Sequence, residues 1–280
     1  MNNEYFDGEH FEGFGDKWEA IFKNFEDFFC TKFVKVIENG NPYITHKTNN
    51  ITYFGLTDNK EAPLSITTLI EVKNNSNNVI SFFPMMKGIT NEVILKENYT
   101  WETQIEGEFA GEVCAENINT INFFDGNYGI DIEKFQKDKK VKISLSGLAF
   151  LLDKFEEKEF KIEKGDFYEL RLNEFLKENK TKTKEDFEAP IIKLTGETFR
   201  MFMPTEYTCE YEAVGQIEDI SYTTFYDEEI TILKVNFGHK EEDENFYCNL
   251  YVSEKVLNGY KPQINDAIST IFWLTGQFEE

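Results

Sequence analysis

The chain has 280 residues, and 29 Lys and Arg against 52 Asp and Glu give it a formal net charge of −23. That balance excludes partners that require clustered cations, namely a phosphate backbone or an anionic membrane surface. The 28 Phe, 13 Tyr and 3 Trp exclude the low-hydrophobicity composition of a disordered acidic chain, and the length fits two domains or three small ones.

Met1 to Asp7 carries acid where a secretory signal needs a basic start and an apolar run. The longest apolar stretches, such as Val79 to Met86 and Gly147 to Leu152, fall far short of the roughly 18 residues that span a bilayer. A soluble, cytoplasmic protein is expected. Glu12-Gly-Phe-Gly-Asp16 places a G-x-G before a helix, but Trp18 stands where a third Gly would, and Glu12 and Asp16 would repel the phosphates such a loop holds. Asp16 followed by Glu19 reads as a capping box. It opens a helix whose stripe of Trp18, Ile21, Phe22, Phe25, Phe28 and Phe29, in steps of three and four, is expected to be buried. Strand-like runs follow at Phe33 to Ile37, Ile51 to Leu56, Ser65 to Val72, Val79 to Phe83 and Glu92 to Leu95, with loops at Asn39-Gly-Asn-Pro42 and Asn74 to Asn78. Residues 1–103 are thus expected to form an N-terminal helix with a β-rich unit.

Self-similarity organises the remainder. Phe109 to Val113 matches Ala213 to Ile217; Tyr128, Ile130 and Ile132 fall on Leu233, Val235 and Phe237; Val141, Ile143 and Leu145 fall on Phe246, Cys248 and Leu250. Leu151, Leu152 and Phe155 keep step with Val256, Leu257 and Tyr260, as short amphipathic segments. Tyr168, Leu170 and Leu172 then close the first copy as a strand, and Ile268 to Leu274 the second. Asp125-Gly-Asn127 reads as a hairpin turn. Two copies with this order of strands, short helix, turn and strand resemble an OB-fold, with an SH3-like barrel as the alternative. The expected fold is mainly β (α+β), with tandem OB-like barrels at 104–176 and 206–280 from an internal duplication. A charged linker and connecting strand at 177–205 joins them, its basic run Lys177, Lys180, Lys182 and Lys184 read as a solvated connector.

No catalytic or cofactor signature stands out. His10, His46 and His239 lack zinc spacing; His239 to Glu244 lacks the alternating ligands and turn Gly of a calcium loop; Cys30, Cys114, Cys209 and Cys248 form no paired motif and read as reduced, mostly buried thiols. Neither metal nor cofactor is expected. Charge is more informative. Glu206, Glu210, Glu212, Glu218, Asp219, Asp227, Glu228 and Glu229 fall in one stretch without a Lys or Arg, a candidate face for a basic protein partner. Trp273 alternates with Phe272 and Leu274, so it points away from the barrel core, toward a neighbouring domain or as an exposed interaction hot spot. The leading expectation is a non-enzymatic protein-binding module, such as an intracellular antagonist or immunity-type protein. A small-molecule or glycan site in a barrel mouth is the alternative, and a carboxylate-based hydrolase the third.

Overall fold

A computed structural model of the chain describes residues 17–48, 51–74, 76–101, 103, 105–115, 118–239 and 245–279. The expected cap Asp16, the G-x-G at 13–15 and most of the loop after His239 lie outside the described residues. Within them the protein is mainly β, with a helical segment at its N-terminal side. Among the described residues no helix is long and apolar enough to cross a membrane.

That segment is not one helix. α1 (Trp18–Ile21) ends where Phe22 turns extended, and Asn24 restarts the helix by accepting from the Asp27 amide at 3.1 Å. α2 (Phe25–Phe28) runs into a π-helical turn (Phe29–Phe33) and then α3 (Val34–Asn39), which stops at Gly40. The break lets the Phe22 ring fold back onto Phe28, with centroids 3.8 Å apart. The strand expected at Phe33 to Ile37 is therefore helical. Its short apolar run fits both periods, and the burial of Phe33 and Val36, three residues apart, decides for the helix.

A four-stranded antiparallel meander follows: β1 (Asn41–Thr48), β2 (Ile51–Thr57), β3 (Leu64–Lys73) and β4 (Ser76–Met86). Next come β5 (Ile89–Thr100), β6 (Gly107–Val113), β7 (Thr120–Asp125), α4 (Tyr128–Asp131) and β8 (Lys140–Lys154). A small excursion holds β9 (Lys158–Lys161), α5 (Asp166–Glu178) and β10 (Ile191–Leu194), with β9 and β10 paired. The chain then adds β11 (Met201–Pro204), β12 (Glu210–Phe225), β13 (Glu228–Asn236), β14 (Tyr247–Ser253), α6 (Glu254–Leu257) and β15 (Ala267–Phe278). Nine strands form one mixed sheet in the order β11-β12-β13-β14-β8-β15-β7-β6-β5, with further ladders joining β12 to β15 and β5 to β8. The pairings β14 with β8 and β15 with β7 are parallel, the rest antiparallel.

Several elements differ from the sequence expectation. Tyr168, Leu170 and Leu172 lie on α5, not on a closing strand, and only Leu172 among them is buried. Tyr128 and Ile130 lie on α4 and Ile132 on the single 3-10 turn after it, whereas Leu233 and Val235 lie on β13. Leu151 and Leu152 belong to β8, while Val256 and Leu257 are helical. The turn at Asp125 to Asn127, held by the Asn127 amide on Asp125 Oδ1 at 2.7 Å, leads into α4 instead of closing a hairpin. The alignment of 105–175 on 210–278 therefore does not hold element for element. The basic run is not free connector either, since Lys182 sits over the Phe175 ring at 5.3 Å and Lys184 over Tyr168 at 5.6 Å.

Two apolar cores result. One lies against one face of the nine-stranded sheet and includes Phe109, Phe123, Leu145, Leu233, Phe237, Phe246, Leu250, Phe272 and Leu274. The other joins the opposite face to the meander and the helical segment, through Trp18, Phe22, Phe33, Ile66, Phe82, Phe83, Phe124, Leu148, Tyr251 and Trp273. Packing in the first core is close enough to demand glycine: a Cβ on Gly111 would collide with Val93 Cγ1. Gly111→Ala is expected to destabilise the protein by about 1–3 kcal/mol, the usual cost of overpacking. Adding Val93→Ala should return part of that loss, measured as a double-mutant cycle in urea; strictly additive losses would contradict the assigned contact.

Candidate functional site

The acidic stretch lies on and beside β12, and its eight carboxylates have different fates. Glu210 is buried, ion-paired with Lys17, and accepts from Thr205 Oγ1 at 2.9 Å. Lys17 is held there by the rings of Phe150 and Tyr207, 4.7 and 4.9 Å from its Nζ. Asp227 pairs with Lys32 at 3.3 Å. Glu228 accepts the Lys23 amide at 3.2 Å, and the Lys23 ammonium reaches Glu228 at 3.7 Å and Glu254 at 3.3 Å. The hydrogen bond to Glu254, then the charges of Glu228 and Glu254, push the Lys23 pKa up. Glu206, Glu212, Asp219 and Glu229 are exposed and Glu218 half-buried, none of them ion-paired among the described residues. Three of the eight carboxylates thus take their cations from the chain's own helical segment.

Turning through Tyr226 and Asp227, the β12–β13 hairpin carries two depressions near it. A cleft of about 320 Å³ is lined by Tyr222, Thr223, Thr224, Glu229, Ile230, Thr231, Glu254 and Leu257. Tyr222 is 76% exposed there. Glu254 already holds Lys23 there, so Glu229, the hydroxyl oxygens and the exposed ring are what the cleft offers to an ammonium or guanidinium group. Asp219 borders a second cleft of about 370 Å³ with mixed walls, shared with Lys87, Lys234, Ser221, Ile89, Ile232 and Tyr251. On the helical segment, a third depression of about 500 Å³ is lined entirely by apolar side chains, among them Phe25, Phe29, Phe33, Val34 and Phe82.

Trp273 is fully buried, with its ring 4.8 Å from Phe124 in the second core. It does face away from Phe272 and Leu274, but that side is covered by the meander and helical segment, so it offers no surface to a partner. In the first core Phe202, Phe237, Phe246 and Phe272 pack together, with ring centroids 5.2–5.8 Å apart.

A layer of buried acid escaped the sequence reading. Glu108 accepts from Thr208 Oγ1 at 2.5 Å, Cys209 Sγ at 3.2 Å and Trp101 Nε1 at 3.4 Å. Cys209 is held in the left-handed region, φ 57°. Burial first, then the Glu108 charge, drive its thiol well above the usual range. The thiol is a hydrogen-bond donor, not a nucleophile. Cys248 is buried too, while Cys30 and Cys114 are exposed. Asp125 is raised by burial and by Asp131 beside it, and Asp131 pairs with Lys134 at 2.7 Å. Glu106 is fully buried, receives Ser81 Oγ at 2.5 Å, and is pushed up to about 7 by desolvation. In sequence, Glu106-Gly-Glu108 looks like any solvated acidic pair; only the strands packed over it distinguish it. Among the described residues no group of three or more His, Cys, Asp or Glu is placed to hold a metal.

No family model matches the sequence, and neither the curated proteins nor the solved structures that were searched contain a match to it.

Glu106 makes stability depend on pH. Its carboxyl titrates at 4.5 when solvated and at about 7 in the fold, so between those values the folded state keeps a proton that the unfolded state loses. Stability therefore falls as pH rises through this window and levels off above it, by up to about 3 kcal/mol. Glu106→Gln, neutral at every pH, is expected to be the more stable form at pH 8 and to lose most of that fall. Urea denaturation of both proteins at pH 5 and 8 measures the difference; an equal gap at the two pH values would contradict it.

Proposed function

We propose that the chain is a non-enzymatic protein-recognition module whose acidic surface at the β12–β13 hairpin captures a basic segment of a protein partner. The observation that carries this reading is the cleft in which Glu229 and Glu254 stand beside the exposed Tyr222. Tyr is a common anchor at interfaces, and carboxylates select cationic partners and speed their approach. The packed first core lends little support to a ligand in a barrel mouth. Likewise, a protonated buried thiol and carboxyls enclosed between packed strands do not supply the nucleophile or paired acids of a hydrolase.

The architecture we infer beneath this surface is a pair of OB-like barrels that share strands. One circuit of pairings runs β12-β13-β14-β8-β15 and back to β12; the other runs β5-β6-β7-β15-β8 and back to β5. Each half, 89–154 and 210–278, then contributes four strands with a short helix before the fourth, and borrows its fifth from the other half. Matching details support a duplication in this register. Leu95 accepts from Asp138 at 2.7 Å and donates to Lys139 at 3.0 Å; Ile217 accepts from Asn265 at 2.8 Å and donates to Asp266 at 2.9 Å. Leu95 and Ile217 each border a bulge, and Asp138 and Asn265 share a left-handed φ of 62° and 71°. Phe124 opposite Thr275 repeats as Tyr251 opposite Leu148. Even the close contacts correspond with sizes exchanged: Val93 against Gly111 in one half, Gly215 against Val235 in the other.

Two experiments test these readings. In salt-dependent capture, wild type is expected to retain basic proteins that about 0.5 M salt releases, and Glu229→Lys with Glu254→Lys should lose most of them. Equal capture by both forms would overturn the functional proposal. For the architecture, residues 197–280 alone are expected to lack a cooperative thermal transition and to regain one when co-expressed with 1–196. A cooperative transition from 206–280 alone would mean that this barrel is complete without its neighbour.

A further inference from the structure

The helical segment presents an apolar groove that nothing among the described residues fills. Its walls are Trp18, Phe25, Phe29, Phe33, Val34 and Ile37 on one side and Val79 and Phe82 of β4 on the other. Phe29 is 41% exposed, Val34 42% and Val79 44%, a contiguous patch of the kind that marks an interaction site. The π turn shapes the groove: it stacks Phe29 on Phe33 at 5.1 Å and sets both against Phe82, at 5.6 and 4.7 Å. Such turns are rare and concentrate at functional positions.

Charge identifies the occupant. Lys17, Lys23 and Lys32 are drawn back onto Glu210, Glu228, Glu254 and Asp227. Of the other charges at residues 24–39, Glu26, Asp27 and Glu38 are exposed acids and Lys35 is an exposed base. Glu26 stands one turn before the groove residue Phe29, and Glu38 follows Val34 by four residues on α3, which puts acid next to the groove in the chain on both sides of the π turn. An apolar trough with acidic margins complements an amphipathic helix bearing one apolar face and Lys or Arg beside it.

We propose that this groove receives the apolar face of a basic amphipathic helix from a protein partner. The inference rests on the protein-recognition reading above and names the partner's chemistry. A fluorescently labelled 18-residue probe with Leu at i, i+3, i+4 and i+7 and Lys elsewhere tests it by anisotropy, alongside a probe with Gln for Leu and one with Glu for Lys. The Leu/Lys probe is expected to bind wild type at least about tenfold more tightly than either control. Val34→Ser and Val79→Ser change exposed positions without altering charge, and each should weaken the Leu/Lys probe by about tenfold; thermal melts confirm that both variants fold. Unchanged affinity in both, or equal binding of the Gln probe, overturns the groove proposal, while loss through Glu229→Lys and Glu254→Lys would leave the acidic reading standing. Equal binding of the Glu probe overturns it too, because the occupant would then not be basic. A dimer in light scattering that Val34→Ser dissolves overturns the proposal in favour of a second copy as occupant.

Discussion

The β8–β15 ladder is the contact on which the rest of the fold depends. It runs from Ile143 opposite Phe278 to Lys154 opposite Ile268, and both strands have neighbours on their other edges as well. Side chains on one face, Leu145, Ala149, Phe272 and Leu274, enter the first core; Leu148 and Trp273 on the opposite face enter the second. Two strands buried on both faces need neighbours that come very close, and Gly147 meets Phe272 and Leu250 while Gly276 meets Phe123. Side chains there would push apart the ladder that holds both cores, so glycine is a packing requirement at these two positions.

Magnitudes separate what fastens the helical segment from what orients it. Trp18, Ile21, Phe22, Phe28 and Phe33 are buried in the second core, and full burial of each such side chain is worth about 1.5–3 kcal/mol. The ion pairs of Lys23 and Lys32 each have a solvent-exposed partner, so water and salt screen them and they contribute little. Only Lys17 with Glu210 differs, since removing the lysine would strand a buried carboxylate. Apolar burial therefore attaches the segment. The lysines settle which flank faces the acidic hairpin, and in doing so neutralise part of a charge that would otherwise repel itself across the sheet.

Sequence pattern revealed most of what local periodicity controls. The aromatic stripe, buried at Trp18, Ile21, Phe22 and Phe28 but exposed at Phe29, the meander strands β2, β3 and β4 and the short helix at Val256 and Leu257 follow from spacing, whereas β1 does not. Alternation also placed Trp273 on the face opposite Phe272 and Leu274, although no local pattern says that this second face is buried. The alignment at one fixed offset fails because residues 128–134 form a helix and a 3-10 turn where a strand was expected, and the excursion at 155–199 supplies a helix where a closing strand was expected. Local sequence likewise cannot separate Glu106 and Glu108 from surface acids, since their burial comes from strands and loops distant in the chain. Of the candidate carboxylates, composition found the stretch, but the split between internal partners and open cleft depends on lysines roughly 200 residues away.

The helical segment is where these effects meet. Its break at Phe22 and its π turn at Phe29 to Phe33 both depart from regular helix, and each serves a different flank. The break directs Phe22 and Phe28 toward Phe225 and Tyr226 at the acidic hairpin, 5.5 and 5.1 Å between centroids; the π turn directs Phe29 and Phe33 toward Phe82 and the groove. One segment thus carries apolar contact surface on one side while its lysines lie against acid on the other. In such an arrangement, burial of a partner's apolar face supplies affinity, because surface charges are screened beyond about 8–10 Å at ordinary salt. The acids act earlier and more selectively, raising the encounter rate of cationic partners and rejecting anionic ones. On the proposed reading, an excess of acid as large as this chain carries is compatible with recognition of a partner, because apolar surface and charge lie side by side along residues 18–38.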